Sequence, residues 1–513
     1  MPQDPICRSL ELGFQAAWRA SSSWAADDGF AIDWGQAPLI GVEALLARVQ
    51  QECHSLERLL GDQPQPPLQR IGIWLDDAPA NLISGLALML AGRAQAVLPR
   101  TAPQPVLLRL ALRLRLTHLL APPGEVPPGV DGRQLGSTAE GHGVWALASP
   151  GALLSGLNPR LGPIAFLSTS SGTTSEQPAV CLTPLFTQLA LHHPANWDPH
   201  HLLRRPLLRP GLQNHSGRLF ALQLLFRGIP ITVRSGVPTR DWFKSGCDGM
   251  SVPPLLLQQW LQQDVLGCFP ADFLCIAGTD HVAMAMRRAI QARPSPQLGV
   301  CYATSQTGPL TWLPPEQLLH ESESIGWPLP GVRCRADDSP GLGHQVRSGA
   351  PLFQEWTFTR ELHFVWPGSG AQQREPRRWQ LSFNPRDRLA LLPSGAFRFA
   401  GRSDDVFLYA GRLVSPLEIE EELRSYPEVV DCLAFGLPHP LYGSIPVAAL
   451  VLRDACPDGA GIDMALQRVS VSCRQNLGMV APRRLFVVAE LPRGATGKPL
   501  RRVVRERFAR EQY

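Results

Sequence analysis

The sequence predicts an α/β protein, in which a large N-terminal domain of mostly parallel sheets with crossover helices is followed by a small, mobile α+β domain. Three observations carry this. From residue 70 onward, short apolar runs alternate with segments of helical spacing. Several of these runs empty into loops of small hydroxyl residues. Past residue 405 the pattern changes to a unit of about a hundred residues, a size that can fold alone. At 513 residues the chain exceeds the roughly 250–300 residues at which single cores stop growing, so at least two domains are expected.

Residues 70–75 read as a strand, 79–92 as a helix ending in glycine, 94–98 as a strand, 105–116 as a helix and 117–121 as a strand. Units of this kind argue for a parallel sheet, whose ligands sit beyond the carboxyl ends of the strands. The apolar strand 163–167 runs into Ser168 to Ser175, where seven of eight residues carry hydroxyls. Such a loop suits phosphate oxygens; it has no GxxxxGK[ST] spacing, and a solvated serine-rich linker is the alternative. His192, His193, His200 and His201 lack the acidic or cysteine companions of a metal site. His215 precedes the helical run 219–226 and the strand 229–233, either at a pocket edge or as a structural histidine. Two further strands, 273–277 and 298–303, run into Gly278-Thr279-Asp280 and Thr304-Ser305-Gln306, so their loops would converge on one cleft. Asp387 falls in a polar break after 379–383, and 395–399 returns as a hairpin toward Gly401-Arg402-Ser403-Asp404-Asp405. Residues 415–424 then form a capped, acid-rich helix, with strands at 429–437, 446–452 and 485–488 and helices at 462–477 and the C-terminal end. The expected division is a large domain over 1–402, a hinge over 403–405 and a small lid domain over 406–513.

Composition narrows the classes. An apolar fraction of 44% and a charged fraction of 18% are those of an ordinary globular protein, and a net charge of +4 does not imply a nucleic-acid groove. Arg501, Arg502, Arg505, Arg507 and Arg510 read as a solvated helix face sooner than as a dock for an acidic partner. Eleven cysteines without a CxxC pair fit reduced thiols in a cytosolic protein. Asp4 and Arg8 argue against a signal peptide, and the apolar stretch 82–92 is far short of the ~20 residues of a membrane span; a soluble, cytoplasmic protein is expected. Only two lysines, Lys244 and Lys498, occur in the chain. Lys498 ends Arg493-Gly494-Ala495-Thr496-Gly497-Lys498, a small-residue loop suited to placing a compact ammonium among oxygens, with a surface lysine as the alternative.

Five motifs in order resemble one superfamily, the adenylate-forming enzymes: acyl- and aryl-CoA synthetases, peptide-synthetase adenylation domains and luciferase-like ligases. Ser170-Ser171-Gly172-Thr173-Thr174 resembles the phosphate loop TSGTTG, Tyr302-Ala303-Thr304-Ser305-Gln306 resembles YGxTE, and Asp387 matches the aspartate of TGD. Gly401-Arg402-Ser403-Asp404-Asp405, Gly411-Arg412 and Glu418-Ile419-Glu420 match the GRxDD, G.R and EIE signature, and Gly497-Lys498 matches the terminal GK. The resemblance implies that ATP activates a carboxylic acid as an acyl- or aryl-adenylate with release of pyrophosphate, after which the phosphopantetheine thiol of coenzyme A or of an acyl carrier protein displaces AMP. It further implies that the phosphate loop and Ser305 hold phosphates, Tyr302 stacks on adenine, Asp387 accepts from ribose and Arg402 contacts the nucleotide. Lys498 would stabilise charge on the carboxylate and α-phosphate, and rotation about Asp404 would bring Gly411 to the thiol channel. His215 and Gly278 are the implied acid-pocket positions.

The sequence departs from the pattern at Glu176-Gln177-Pro178-Ala179, where a glycine and Pro-Lys are usual, and at Leu408, in place of a lysine. Gln306 replaces a glutamate directed at Mg2+, and an amide oxygen brings the cation no charge. Asn214-His215-Ser216-Gly217 has no acid to meet an α-ammonium, which favours an aryl or fatty acid. The alternatives are a stand-alone amino-acid adenylation domain and a binding or scaffold homologue without catalysis.

Overall fold

The computed structural model describes residues 5–21, 30–35, 37–61, 69–126, 129–148, 164–169, 180–212, 214–278, 280–293, 296–304, 307–321, 323–337, 353–364, 377–453, 460–493 and 498–510. A seven-stranded sheet has a parallel centre of His118–Ala121, Arg70–Ile73, Ala94–Val97 and Ile164–Thr169. Antiparallel strands finish both edges, Gly143–Leu147 and Gly132–Ser137 on one side and Val180–Pro184 on the other. The crossover helix Pro79–Leu90 begins on a proline, whose missing amide is not needed in a first turn. It is buried from Asn81 through Leu90, and a helix covered on all sides is apolar on all sides. Helices Val42–Leu60 and His215–Phe226 cover it.

A second sheet places Gly249–Val252, Leu274–Ala277 and Gln297–Thr304 in parallel, with Gly308–Leu313 and Trp327–Pro328 antiparallel beyond them. Gly299 is required by close approach, since a Cβ there would lie 2.0 Å from Cη2 of Trp312. The third sheet is antiparallel throughout and joins Val332–Ala336, Gln354–Phe364, Arg377–Phe383, Asp387–Leu391 and Phe397–Arg402. Asp387 therefore starts a strand instead of interrupting one. A small sheet holds Phe30–Trp34 beside Ile231–Val233, so the chain before residue 70 packs into the large domain.

From Arg402 the chain passes through residues 403–405 into a separate sheet of Phe407–Tyr409, Arg412–Val414, Gly443–Leu452, Val429–His439 and Arg484–Val487. Helices Pro416–Arg424, Ala460–Leu477 and Arg501–Arg510 complete this smaller domain, around a core that includes Leu423, Cys432, Leu450 and Val469. Two expectations are corrected here. Ser415 stands at the N-cap position but makes no cap; its hydroxyl donates to the Ala400 carbonyl at 2.6 Å, tying the helix start to the large domain's last strand. The C-terminal arginines do not form one solvated face. Val504 and Phe508 are buried, and Arg501 pairs with Glu420, which is 3% exposed, and lies 3.4 Å from Asp405.

The four paired histidines serve packing and turns. His192 packs on Phe226, His193 stacks on His363, and His200 and His201 both face Asp198. None of the nine cysteines whose side chains are described forms a disulfide, and among the described residues no helix is long and apolar enough to cross a membrane.

Glu420 also accepts from the Ala434 amide and faces Arg424. Its removal would leave two arginines without their buried counter-charge. Glu420→Ala is expected to destabilise the small domain by about 3–5 kcal/mol in chemical denaturation; a loss under about 1 kcal/mol would show that this network does not hold the domain together.

Candidate active site

A cleft of about 520 Å³ lies between the large and small domains and is lined by Tyr302, Asp387, Arg402, Asp405, His281 and Lys498, among others. Its floor comes from sheet register. Asp387 and Arg402 are cross-strand partners, while Tyr302, near the end of Gln297–Thr304, reaches across so that its hydroxyl donates to Asp387 Oδ2 at 2.6 Å. Phe358 and Phe399 back the Tyr302 ring, with centroids 6.0 and 6.3 Å away.

Asp387 is 8% exposed. Burial pushes its carboxyl above the usual range, against the Tyr302 hydrogen bond and the charges of Arg402 and Lys498, which favour the carboxylate. Burial and the adjoining Asp387 charge raise the Tyr302 hydroxyl in the same way. Nε of Arg402 is buried with no hydrogen-bond partner among the described residues. An orphaned guanidinium N–H at the edge of a nucleotide-sized cleft, with a lysine across from it, fits an anionic ligand.

Lys498 is delivered by a loop pinned at both ends. Before it, Arg493 pairs with Asp431 and forms a bridge with Pro499, and the Leu500 amide donates to Pro492 O at 2.8 Å. After it, Arg501 is locked to Glu420 and to the Ala434 carbonyl. Burial alone would raise Glu420, yet Arg501 and Arg424 outweigh it and hold this carboxyl below its usual value. Asp404 lies 3.7 Å from Arg386 and 4.0 Å from Arg402.

Of the remaining sequence-predicted positions that the structure describes, Gly278, His215 and Gly411 do not line this cleft. Ser170, Ser171, Gly172, Thr173, Thr174, Ser305 and Gln306 lie outside the described residues. Gly411 follows Ala410 in a two-residue hairpin, both at positive φ, the geometry of a type I′ turn. A Cβ at Gly411 would meet nothing within 4 Å, so the turn and not the space calls for glycine. Gly278 follows Leu274–Ala277, where a Cβ would sit 3.0 Å from the Cys301 carbonyl. His215 lines a second, small cavity with Phe166, Gln95 and Arg218. Burial, aided by Arg218, lowers its pKa to about 4. Arg218 is itself 1% exposed and bonds the neutral side chains of Asn81 and Gln95.

Residues 418–498 match the model of the AMP-binding enzyme C-terminal domain family. In fold, the chain resembles an anthranilate CoA ligase solved with anthranoyl-AMP, at a TM-score of 0.72 and 16% identity over 99% of this chain and 98% of that one. The family match is confined to the small domain, and over its length the chain shares the fold of these solved enzymes. An amide bond synthetase from Marinactinospora thermotolerans superposes at a TM-score of 0.69 with 19% identity, covering 97% and 99% of the two chains. A sulfoacetate–CoA ligase from Cupriavidus necator is 28% identical over 290 residues, 53% of this chain and 52% of the relative. The chain thus spans about half the length of that relative, and 31% of the length of the Bacillus subtilis acetyl-coenzyme A synthetase, with which it is 28% identical.

Several residues of this cleft escape a reading of the sequence. Arg501 reads as one member of a basic run, although its position three residues after Lys498 is a usable signal. His281 falls between the strand Leu274–Ala277 and the helix Met284–Gln291, and nothing local marks its partner Glu421. The Asp431 partner of Arg493 is 62 residues away in the chain.

His215 generates a pH dependence. Its folded pKa, about 4, lies below the ordinary 6.5, so the unfolded chain binds a proton that the native state refuses. This contribution is fully present above about pH 6.5 and is lost as pH falls toward 4. His215→Leu is expected to show a shallower fall of unfolding free energy between pH 6.5 and 4; an unchanged slope would mean that His215 is not held neutral.

Proposed function

We propose that the chain activates a carboxylic acid with ATP and then passes the acyl group to a phosphopantetheine thiol. The observation that carries this reading is Lys498, one of two lysines in the chain, held by a doubly pinned loop at the same cleft as Tyr302, Asp387 and Arg402. In the first half-reaction a carboxylate oxygen attacks the α-phosphorus, and the bond to pyrophosphate breaks. Negative charge then gathers on the α-phosphate and the incoming carboxylate, where the Lys498 ammonium stabilises it in a site with little water. Asp387 would exchange its Tyr302 donor for ribose hydroxyls, freeing the Tyr302 ring to face adenine, and the unpaired Nε–H of Arg402 would turn to the nucleotide. In the second half-reaction a thiolate attacks the acyl carbon and AMP leaves.

The phosphate loop at 170–174 and Ser305 would hold the phosphates. Mg2+ would meet a neutral amide oxygen at Gln306, which makes for weak capture by this residue. Residues 403–405, with Asp404, would serve as the hinge between a large domain 1–402 and a lid 406–513, and Gly411 would move with that lid toward the thiol. A substrate without an α-amine is favoured because Asn214 accepts from the Gly217 amide at 2.7 Å as the cap of its own helix, leaving no carboxylate there for an ammonium. An aryl or fatty acid fits this, with His215 and Gly278 behind the acid. Both coenzyme A and a carrier protein present the required thiol.

Acid-dependent exchange of pyrophosphate into ATP across a panel of aryl, fatty and amino acids tests the reading. We expect an aryl or fatty acid to support exchange, and Lys498→Ala to lower it by roughly 10²–10³-fold. ATP binding without exchange for any acid would leave a non-catalytic binding protein. Exchange untouched by Lys498→Ala would remove that residue from the chemistry.

A further inference from the structure

Two adjacent carboxylates on the helix Pro416–Arg424 point to different bodies. Glu420 faces into the small domain and anchors Arg501. Glu421 faces the large domain, where one oxygen meets Nε2 of His281 and the other accepts from the Met284 amide at 3.4 Å, the first residue of helix Met284–Gln291. The grip is partly shielded, with His281 14% and Glu421 27% exposed in their side chains. His281 Nδ1 is buried and makes no hydrogen bond among the described residues, so Glu421 supplies the polar contact that orients this ring, which stacks on Phe399 at 6.0 Å. Asp280 accepts from the His281 amide at 2.8 Å and steadies the same turn. Nearby, Gln258 Nε2 of the large domain donates to the Val430 carbonyl of the small domain at 2.6 Å.

Burial would raise the Glu421 carboxyl, but the His281 hydrogen bond and charge, Arg424 and the Met284 amide outweigh it and keep it below its usual value. The contact therefore favours the ionised carboxylate in this domain arrangement. Unlike Glu420, Glu421 does not line the cleft.

We propose that Glu421 is a positioning residue that holds the small domain with Lys498 facing Asp387 by gripping His281 and the Met284 amide, and that this grip must release before acyl transfer. The proposal rests on the two half-reactions proposed above. A contact that exists in one arrangement and not in the other shifts the balance between them by its differential free energy. It supports the first step and opposes departure from it. Glu421→Gln keeps the shape and removes the charge; His281→Gln removes the imidazole partner.

Three measurements on the full chain test this. First, hydrogen–deuterium exchange without any substrate should rise at the amides of 281–287 and 416–424 in Glu421→Gln, while the thermal midpoint stays at the wild-type value. Second, acid-dependent pyrophosphate exchange should fall about tenfold, the scale of a lost charge-assisted hydrogen bond, while thioester formation from supplied acyl-adenylate is unchanged or faster. Third, Glu421→Gln and His281→Gln together should lose no more exchange activity than the larger single effect. Unchanged deuterium uptake overturns the proposal, as does an equal fall in both half-reactions or full additivity of the two variants. If no acid supports exchange even in the wild type, the proposed function fails by itself; the deuterium arm, which needs no acid or nucleotide, still decides whether Glu421 holds the domains.

Discussion

The buried ion network of Glu420, Arg501, Arg424 and Asp405 is the constraint on which the rest of this cleft depends. A carboxylate 3% exposed is costly to desolvate, and the cost is met only because two guanidinium groups and a backbone amide surround it. Such a network tolerates little displacement, because each charge left behind would be buried alone. Its geometry thereby transmits rigidity to the chain on either side of Arg501. Lys498 stands three residues upstream, and the Arg493 pair with Asp431 pins the other end of its loop. The Lys498 side chain thus starts between two anchored arginines, Arg493 and Arg501.

The floor of the cleft follows the opposite logic. Tyr302 and Asp387 satisfy each other, and burial pushes both toward their neutral forms. Arg402 and Lys498 pull Asp387 back toward ionisation. A site of this kind is poised by balance: on the proposed reading, its paired polar groups would exchange this hydrogen bond for ribose hydroxyls. The unpaired Arg402 Nε shows where the balance is incomplete, and an anion would complete it.

What the sequence reveals depends on how local the determining interaction is. Helix Pro79–Leu90 and its flanking strands are legible because a proline start, a glycine stop and short apolar runs are all local signals. Lys498, Tyr302, Asp387 and Arg402 are legible through motifs whose residues keep fixed neighbours. The helices Pro5–Ser21 and Val42–Leu60 are overlooked because they precede the regular alternation and are tied to it through a partner distant in the chain, helix Pro79–Leu90. The antiparallel third sheet is half seen, since Asp387 looks like a break until its pairing with Arg402 is known. Arg501 is misread for the same reason: a run of arginines suggests solvent, and the carboxylate that buries this one is 81 residues away. Ser415 carries a capping residue's chemistry, but the Ala400 carbonyl competes for it and wins.

Glu420 and Glu421 show how one short helix serves two mechanical ends. Consecutive residues on an α-helix project about 100° apart, so a pair of adjacent carboxylates necessarily addresses two surfaces. The inward one, 3% exposed, is held by partners that all belong to its own domain. The outward one meets a histidine and a helix amide on another body, and keeps about a quarter of its side chain in solvent. Water can replace its partners at modest cost, whereas nothing can replace those of Glu420. The difference in burial between neighbours therefore separates a permanent joint from a releasable one. On the proposed two-step reading, a domain that carries Lys498 into the cleft and out again would need both, the first so that the lysine moves as part of a rigid body and the second so that the body can move at all.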